Sequence, residues 1–124
     1  MQATRLVAAL TMMAALVLAS AMVPAKADRD VDQIDAKVEA IMAIDGDPAY
    51  GEFLGSECAT CHRRSAPSES IPPISGMDEH HFVRALVEYR EGVRSNEVMR
   101  TTAARLSDEE IAALAAHFAA REPR

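Results

Sequence analysis

Residues 58–62 of this 124-residue chain read Cys-Ala-Thr-Cys-His, at the end of a helix-like stretch and directly before Arg63-Arg64. The two cysteines are three residues apart, so on a helix their thiols lie within one turn and on the same side. The imidazole of His62 follows the second thiol without a gap. This spacing brings two nucleophilic sulfur atoms and one metal-ligating nitrogen together at a single helix end.

In an exported protein, this run is typical of covalent haem attachment. The thiols of Cys58 and Cys61 can each add to one of the two vinyl groups on the same porphyrin edge. The next residue then lies under the ring, where the imidazole of His62 can reach the iron as its fifth ligand. The sequence therefore predicts one covalently bound haem c, anchored by Cys58 and Cys61 and ligated by His62.

Three other interpretations of the cysteine pair stay open at this point. A thioredoxin-like redox pair needs a βαβ setting, whereas the sequence has no strand-like alternation. A zinc site needs further ligands, which His80, His81 and His117 can supply. A disulfide is the third interpretation, although a loop of two residues favours strain.

The composition is that of a small protein with few large side chains for its core. The chain is long enough for one domain at most, and 49% of its residues are apolar, yet it has three Phe, two Tyr and no Trp. A buried porphyrin supplies the large, flat apolar body that these side chains do not. Composition and motif therefore point to the same cofactor.

The first 27 residues have the features of a secretory signal. Arg5 gives a positive start, residues 6–22 are apolar, and Ala25-Lys26-Ala27 is a small-residue cleavage site. Cleavage leaves a periplasmic chain that begins at Asp28 and has no segment able to span a membrane. The alternative is an uncleaved membrane anchor, because the apolar run approaches spanning length.

Acidic residues are concentrated in one part of the chain. The net charge is −6, and losing residues 1–27 removes two basic residues and no acidic one, which leaves −8. Residues 28–57 hold nine acidic and two basic side chains, whereas residues 58–105 hold seven arginines and six acids. This balance argues against nucleic-acid binding. We expect redox partners to meet a haem edge that bears four arginines: Arg63, Arg64, Arg94 and Arg100.

Residues 28–46 are predicted to form an acidic helical extension ahead of the main domain, residues 47–124. Their apolar members recur at helical spacing, with acids on the other face: Val31, Ile34, Val38 and Ile41. Such a stripe usually covers a core. A helix that docks onto a partner protein is the alternative.

The helix that leads to the cysteine motif has a clear start. Asp47 is the predicted N-cap, and Pro48 takes the first helical position, where its missing N–H is harmless. The apolar side chains of Tyr50, Phe53 and Leu54 give this helix its predicted buried side. The helix delivers the chain to the first cysteine.

Two more helices are predicted downstream. Residues 78–91 have an apolar face at helical spacing, and Gly92 is the expected stop. The last helix starts at Ser107, since Ser107-Asp108-Glu109-Glu110 is a capping box. Residues 93–106 between them are predicted to be a connector.

Further groups are candidates for the haem site. Met99 is the preferred sixth ligand, because a whole helix separates it from His62 and lets it approach the opposite face of the haem. Met77 is the other thioether downstream of the motif, and a lone Met is more often core filler. A proline carbonyl in the loop 71–76 can accept from the second ring nitrogen of His62, although an ordinary extended loop is the alternative. Two arginines one turn apart are candidates for pairing with the haem propionates: Arg90 and Arg94.

The order of these features resembles class I c-type cytochromes, over residues 47–120. The stretch from residue 85 through Met99 to the last capping box has a more specific resemblance. It is similar to small c553-type cytochromes and to the haem subunit of flavocytochrome c sulfide dehydrogenase. The resemblance implies an all-α fold of four or five short helices around one haem, preceded here by an extra amphipathic helix. It also implies His62 and Met99 as axial ligands, with the Pro72 carbonyl on the His62 ring.

A one-electron carrier follows from these ligands, because a haem with both axial positions filled has no place for a substrate. The chain is therefore predicted to be no enzyme itself. Its expected partners are redox proteins, such as a flavoprotein dehydrogenase of sulfur compounds or a terminal oxidase. The alternatives are a sensor or peroxidase-like haem protein with an open sixth position, and a zinc or thiol module without haem.

Overall fold

A computed structural model describes residues 26–63 and 71–121. Contacts divide the chain into two units, Met1–Asp30 and Val31–Arg124. The described ranges contain five helices and no strand, which confirms the all-α prediction. The helices are α1 (Lys26–Met42), α2 (Pro48–Cys61), α3 (Glu79–Arg90), α4 (Glu97–Ala103) and α5 (Asp108–Ala119).

Most of the predicted secretory signal lies outside the described residues. Of residues 1–27 the structure describes only Lys26 and Ala27, which begin α1, so cleavage and the domain boundary at residue 46 stay predictions. None of the helices in the two described ranges is long and apolar enough to cross a membrane.

Helix α1 contributes its apolar stripe to the main core. Ile34, Val38 and Ile41 are buried in one cluster with residues of α3 and α5. Val31, the first member of the predicted stripe, is 56% exposed. These three residues therefore pack in the core, as predicted, and are not the apolar face of a helix left free to dock onto a partner protein.

Two helices begin as predicted. The Asp47 carboxylate accepts a hydrogen bond from the Ala49 N–H at 2.8 Å, and Pro48 occupies the first position of α2. In α5, the Ser107 hydroxyl accepts from the Glu110 N–H, and the Glu110 carboxylate accepts from the Ser107 N–H at 2.8 Å. Both predicted caps are thus confirmed.

The end of α3 is confirmed as well, while the next segment is not a plain connector. Gly92 has a φ of 75°, and Val93 N–H reaches back to the Glu88 carbonyl at 2.9 Å, which makes a Schellman stop. Residues 97–103 then form the short helix α4, capped by the Asn96 side chain. The prediction of a connector was wrong here, because a helix of seven residues carries too short an apolar pattern to be detected.

Helix α2 packs against α5 through glycine and not through its large side chains. Gly51 and Gly55 are its buried residues, whereas Phe53 is 74% exposed. A Cβ on Gly51 would overlap the Ala113 carbonyl oxygen, and one on Gly55 would lie 3.0 Å from Phe118 Cζ. The predicted buried side of α2 was therefore wrong for Phe53 and for Tyr50, which is 42% exposed, since backbone contact with α5 leaves that face toward solvent.

Candidate functional site

The two cysteines lie in the last turn of α2. Cys58 is half-buried and packs against the core, Cys61 is exposed, and both are free thiols. Burial raises the pKa of the Cys58 thiol, and the charges of Glu57 and Cys61 raise it further. Cys58 is thus a neutral thiol at neutral pH, positioned on the inner side of the helix.

The imidazole of His62 is held by the loop that follows the motif. His62 is the C-cap of α2, with its N–H 2.9 Å from the Cys58 carbonyl oxygen. Its ring Nδ1 lies 2.7 Å from the carbonyl oxygen of Pro72. A carbonyl can only accept, so Nδ1 carries the proton, and in the neutral imidazole the free lone pair is then on Nε2. This tautomer presents Nε2 as a metal ligand.

The loop that carries Pro72 is tied in turn to the last helix. Gly76 N–H donates to the Phe118 carbonyl at 2.9 Å, and Gly76 has a φ of 74°, a conformation that suits glycine. Ile74 of the same loop is buried in the core. These two contacts fix the loop near its end, and therefore the position of the carbonyl that orients His62.

An open cleft of about 250 Å³ lies beside this imidazole. It is lined by residues of α2, of the loop and of the end of α5: Ala59, His62, Arg63, Ser75, Phe118 and Arg121. Sequence reasoning missed Ser75, Phe118 and Arg121, because no local pattern links residues so far apart in the chain. The Gly51-x-x-x-Gly55 spacing was a signal for the neighbouring helix contact that could have been used.

Both candidate methionines are partly buried against the core. Met77 stands between the loop and α3, and Met99 lies in α4. The Asn96 side chain accepts from the Met99 N–H at 3.0 Å, so the N-cap of α4 fixes the backbone at this residue. Met99 as the sixth ligand stays a prediction.

The two candidate propionate partners are engaged with carboxylates of the protein. Arg90 pairs with Asp108 at 2.8 Å and also donates to the Leu106 carbonyl at 3.3 Å. Arg94 pairs with Glu88 at 3.1 Å, and its guanidinium lies 5.3 Å from the centre of the Tyr89 ring. A haem propionate that contacted Arg90 or Arg94 would share the guanidinium group with these carboxylates. The propionate contacts stay a prediction.

The histidines proposed for a zinc site are spread over the molecule. His80 Nε2 lies 3.6 Å from Glu39, and His117 Nε2 lies 3.1 Å from Arg121. Across residues 26–63 and 71–121, no three His, Cys, Asp or Glu side chains come together in a way that could hold a metal ion. The donor set at the end of α2, with two thiols and one oriented imidazole, instead fits a covalently bound haem.

No protein-family model matches the chain. Curated proteins match part of it. An 81-residue stretch is 41% identical to the thiosulfate dehydrogenase electron acceptor of Stutzerimonas stutzeri, and covers 60% of this chain and 38% of that protein. A 69-residue stretch is 36% identical to the cytochrome subunit of sulfide dehydrogenase of Chlorobaculum tepidum, and covers 55% and 63% of the two chains.

Cytochrome c4 of Pseudomonas aeruginosa is a further relative, at 28% identity over 79 residues. That match covers 62% of this chain and 39% of the cytochrome. Across these three relatives, the chain spans between 38% and 63% of their length.

Proposed function

Because the chain is related to c-type cytochromes and its cofactor is accordingly haem c, we propose that it is a monohaem carrier of single electrons. In this proposal the chain is exported to the periplasm and passes electrons between redox proteins without doing bond chemistry itself. Two relatives named for sulfur-compound dehydrogenases support one partner class. We propose a thiosulfate or sulfide dehydrogenase as the donor of its electrons.

The residues at the end of α2 would hold the haem. We assign Cys58 and Cys61 as the covalent anchors and His62 as the fifth ligand of the iron. When bound, the haem supplies a reversible one-electron couple. The observation that carries this assignment is the 2.7 Å hydrogen bond from His62 Nδ1 to Pro72, because it turns Nε2 toward a ligand and strengthens its basicity.

Met99 would complete the iron ligands in this proposal. A thioether ligand favours Fe(II) and raises the potential, as suits a carrier that accepts electrons from a dehydrogenase. The cap from Asn96 and the contact with the core support a fixed position for Met99. Met77 shares the core contact, but its N–H donates to the Ile74 carbonyl at 3.4 Å and not to a capping side chain, which makes it the natural control.

The test compares Met99→Ala with Met77→Ala in the haem-loaded protein. We expect Met99→Ala to lose the low-spin spectrum of the oxidised form, to lower the midpoint potential and to let carbon monoxide bind the reduced iron within the mixing time. Met77→Ala should retain the wild-type spectrum. The reverse result would assign Met77, and a wild-type protein that binds carbon monoxide at once would favour a sensor or peroxidase-like function.

The arginines provide a second, smaller test of the haem environment. If Arg90 and Arg94 share their charge with haem propionates, replacing both by Gln changes the midpoint potential and its pH dependence. An Arg84→Gln variant is the control, since Arg84 pairs with Asp35 of α1. If the double variant and the wild type had equal midpoint potentials, Arg90 and Arg94 would serve only their ion pairs with Asp108 and Glu88.

A further inference from the structure

The outer face of α2 carries two aromatic side chains that the core does not use. Phe53 is 74% exposed and Tyr50 is 42% exposed. They are three residues apart and therefore neighbours on the helix surface. A Phe side chain offers 150–250 Å² to a contact, so leaving it in water forgoes a large hydrophobic gain. Neither ring belongs to the core cluster of the described residues, although the Tyr50 hydroxyl donates to Glu110 at 3.3 Å.

Uncompensated negative charge surrounds this surface. Glu52 and Glu57 are exposed and lie on either side of Phe53 along the helix, and α2 contains no basic residue. Within residues 26–63 and 71–121, neither carboxylate takes part in an ion pair. Two acids of α1 differ, because Asp35 pairs with Arg84 and Glu39 faces His80.

A second exposed apolar surface, near Met99, lacks such a field. Val93 and Val98 are 61% and 70% exposed there. The arginines beside them are neutralised within the protein, since Arg94 pairs with Glu88 at 3.1 Å and Arg100 with Glu97 at 3.6 Å. The arginine-bearing edge expected from the sequence is thus close to electroneutral at these two residues. Of these two surfaces, the one on α2 is the one that carries unpaired charge beside its exposed apolar groups.

The α2 surface also leads to the attachment motif. Phe53, Glu57 and Cys61 are spaced four residues apart, so they follow one line along the helix and end at an exposed thiol. A protein seated on this line would lie next to the sulfur atom that anchors the haem. An electron can cross such a contact without the transfer of an atom between the proteins.

We propose that Tyr50, Glu52, Phe53 and Glu57, the Phe53 face, form the docking surface for a basic redox protein. The partner presents an apolar pocket that receives Phe53, ringed by lysine or arginine side chains that pair with Glu52 and Glu57. One electron passes between the partner's one-electron centre and the haem beside Cys61, with no proton or bond transferred. This inference rests on the proposed electron-transfer function and names the chemistry of the partner.

The first experiment locates the contact by NMR. The ¹⁵N-labelled, haem-loaded and reduced protein is titrated with lysine-rich mitochondrial cytochrome c, also reduced, as a defined basic redox protein. We expect the largest amide shift changes at residues 50–61, and their loss at high salt, because exposed charges are screened beyond about 8 Å at physiological ionic strength. Changes confined to residues 93–100 would overturn the proposal in favour of the arginine-bearing edge.

The second experiment measures the second-order rate of electron exchange with the same basic protein. Phe53→Ala should lower the rate about tenfold or more at every salt concentration, because it removes the central apolar anchor. The Glu52→Gln, Glu57→Gln double variant should lower the rate at low salt and flatten its salt dependence. Rates equal to wild type in both variants would overturn the proposal.

Matched controls separate this surface from exposed residues in general. Val98→Ala removes an apolar side chain of similar exposure, and Asp32→Asn with Glu79→Gln removes two exposed negative charges elsewhere. We expect both controls to react like the wild type. Controls that slow the exchange as much as the α2 variants do would show a general charge or apolar effect, and the assigned surface would be dropped.

Failure of the electron-transfer function itself would look different. Oxidation of the reduced protein by ferricyanide, a small reagent that needs no docking surface, reports whether the haem exchanges electrons at all. A wild type inert to ferricyanide would refute the proposed function. A wild type that reacts with ferricyanide, while the α2 variants match it against the basic protein, would refute only the docking surface.

Discussion

Two interfaces of this protein are built on opposite principles. Helix α2 meets α5 with backbone against backbone, since Gly51 has no room for even one carbon atom beside Ala113. Helix α1 meets α3 through side chains: Lys37 pairs with Glu91 at 2.6 Å, Asp35 pairs with Arg84, and an aliphatic stripe is buried beneath them. The α2–α5 interface depends on the close fit of two backbones, and the α1–α3 interface on the interactions of its side chains.

This difference indicates which helix must be held in an accurate position. The attachment motif stands at the end of α2, so any shift of α2 on α5 moves both thiols and the imidazole together. Side-chain contacts adapt to small changes, whereas a backbone contact cannot. We therefore expect mutations in the α2–α5 interface to affect haem attachment, and mutations in the α1–α3 interface to affect stability alone.

The largest expected effect belongs to Gly51→Ala. Alanine is the better helix former by about 1 kcal/mol, yet its Cβ would overlap the Ala113 carbonyl oxygen and lie 2.8 Å from His117 Cβ. Because backbone atoms on both sides must move, we expect the free energy of unfolding to fall by about 3 kcal/mol or more. Chemical denaturation, with the yield of covalently bound haem measured alongside, checks both effects.

Two variants on the same helix calibrate this result. Gly55→Ala meets a side-chain atom, the ring tip of Phe118 at 3.0 Å, and no backbone atom, so its effect should be smaller. Glu52→Ala lies on the exposed face and should change stability by no more than about 0.5 kcal/mol. If Gly51→Ala were as stable as Glu52→Ala, the backbone contact between α2 and α5 would not exist in solution.

The next effect tests the side-chain interface. Ile41→Ala empties a fully buried position of α1, and we expect a loss of about 2 kcal/mol in the free energy of unfolding. The haem yield and the absorption spectrum of the folded protein should remain those of the wild type. Val31→Ala, at a position that is 56% exposed, is the matched control. A loss of bound haem in Ile41→Ala would remove the distinction between the two interfaces.

A smaller effect is expected from the ion pair between Arg84 and Asp35. Both side chains are partly exposed, so a double-mutant cycle with Arg84→Gln and Asp35→Asn should give a coupling of about 0.5 kcal/mol. The coupling should shrink as salt rises. A coupling that is large and insensitive to salt would mean that this pair, and not the aliphatic stripe, holds α1 in place.

The smallest effect concerns the phenol of Tyr50, which donates to Glu110 at 3.3 Å across the α2–α5 interface. Lost hydration and the negative charge of Glu110 raise the pKa of Tyr50 above its ordinary value. The neutral phenol is the form favoured by folding, so its contribution is complete below a pH of about 10 and is lost as the pH rises through the folded pKa. Glu110→Gln should lower that pKa.

The measurement is the tyrosine absorbance or ¹³C shift as a function of pH, with Tyr50→Phe used to assign the signal. An unchanged titration of Tyr50 in Glu110→Gln would show that the carboxylate has no part in the shift.

Much of the fold could be predicted from local signals in the sequence. The caps at Asp47 and Ser107 and the stop at Gly92 are short-range hydrogen-bond patterns, and the structure has all three. The apolar stripe of α1 was predicted because its spacing is that of one helix face. Each of these features depends on residues within a few positions of one another.

The wrong predictions concern features that depend on contacts with another helix. Phe53 was predicted to be buried because it is apolar, but the partner helix α5 approaches the glycines on the opposite face of α2. Helix α4 is too short for a periodic pattern, and depends on the Asn96 cap and on packing against α3. The local signals of these two features are the Asn96 cap and the Gly51-x-x-x-Gly55 spacing, and neither says which helix is contacted.

The bond between Gly76 and Phe118 has a consequence for the order in which the protein is made. Ribosomes produce the loop that orients His62 well before they produce the end of α5, to which that loop is tied. During synthesis, the carbonyl of Pro72 therefore lacks one of its two fixed supports. The chain must be complete through Phe118 before this hydrogen bond can hold the loop that orients the His62 imidazole.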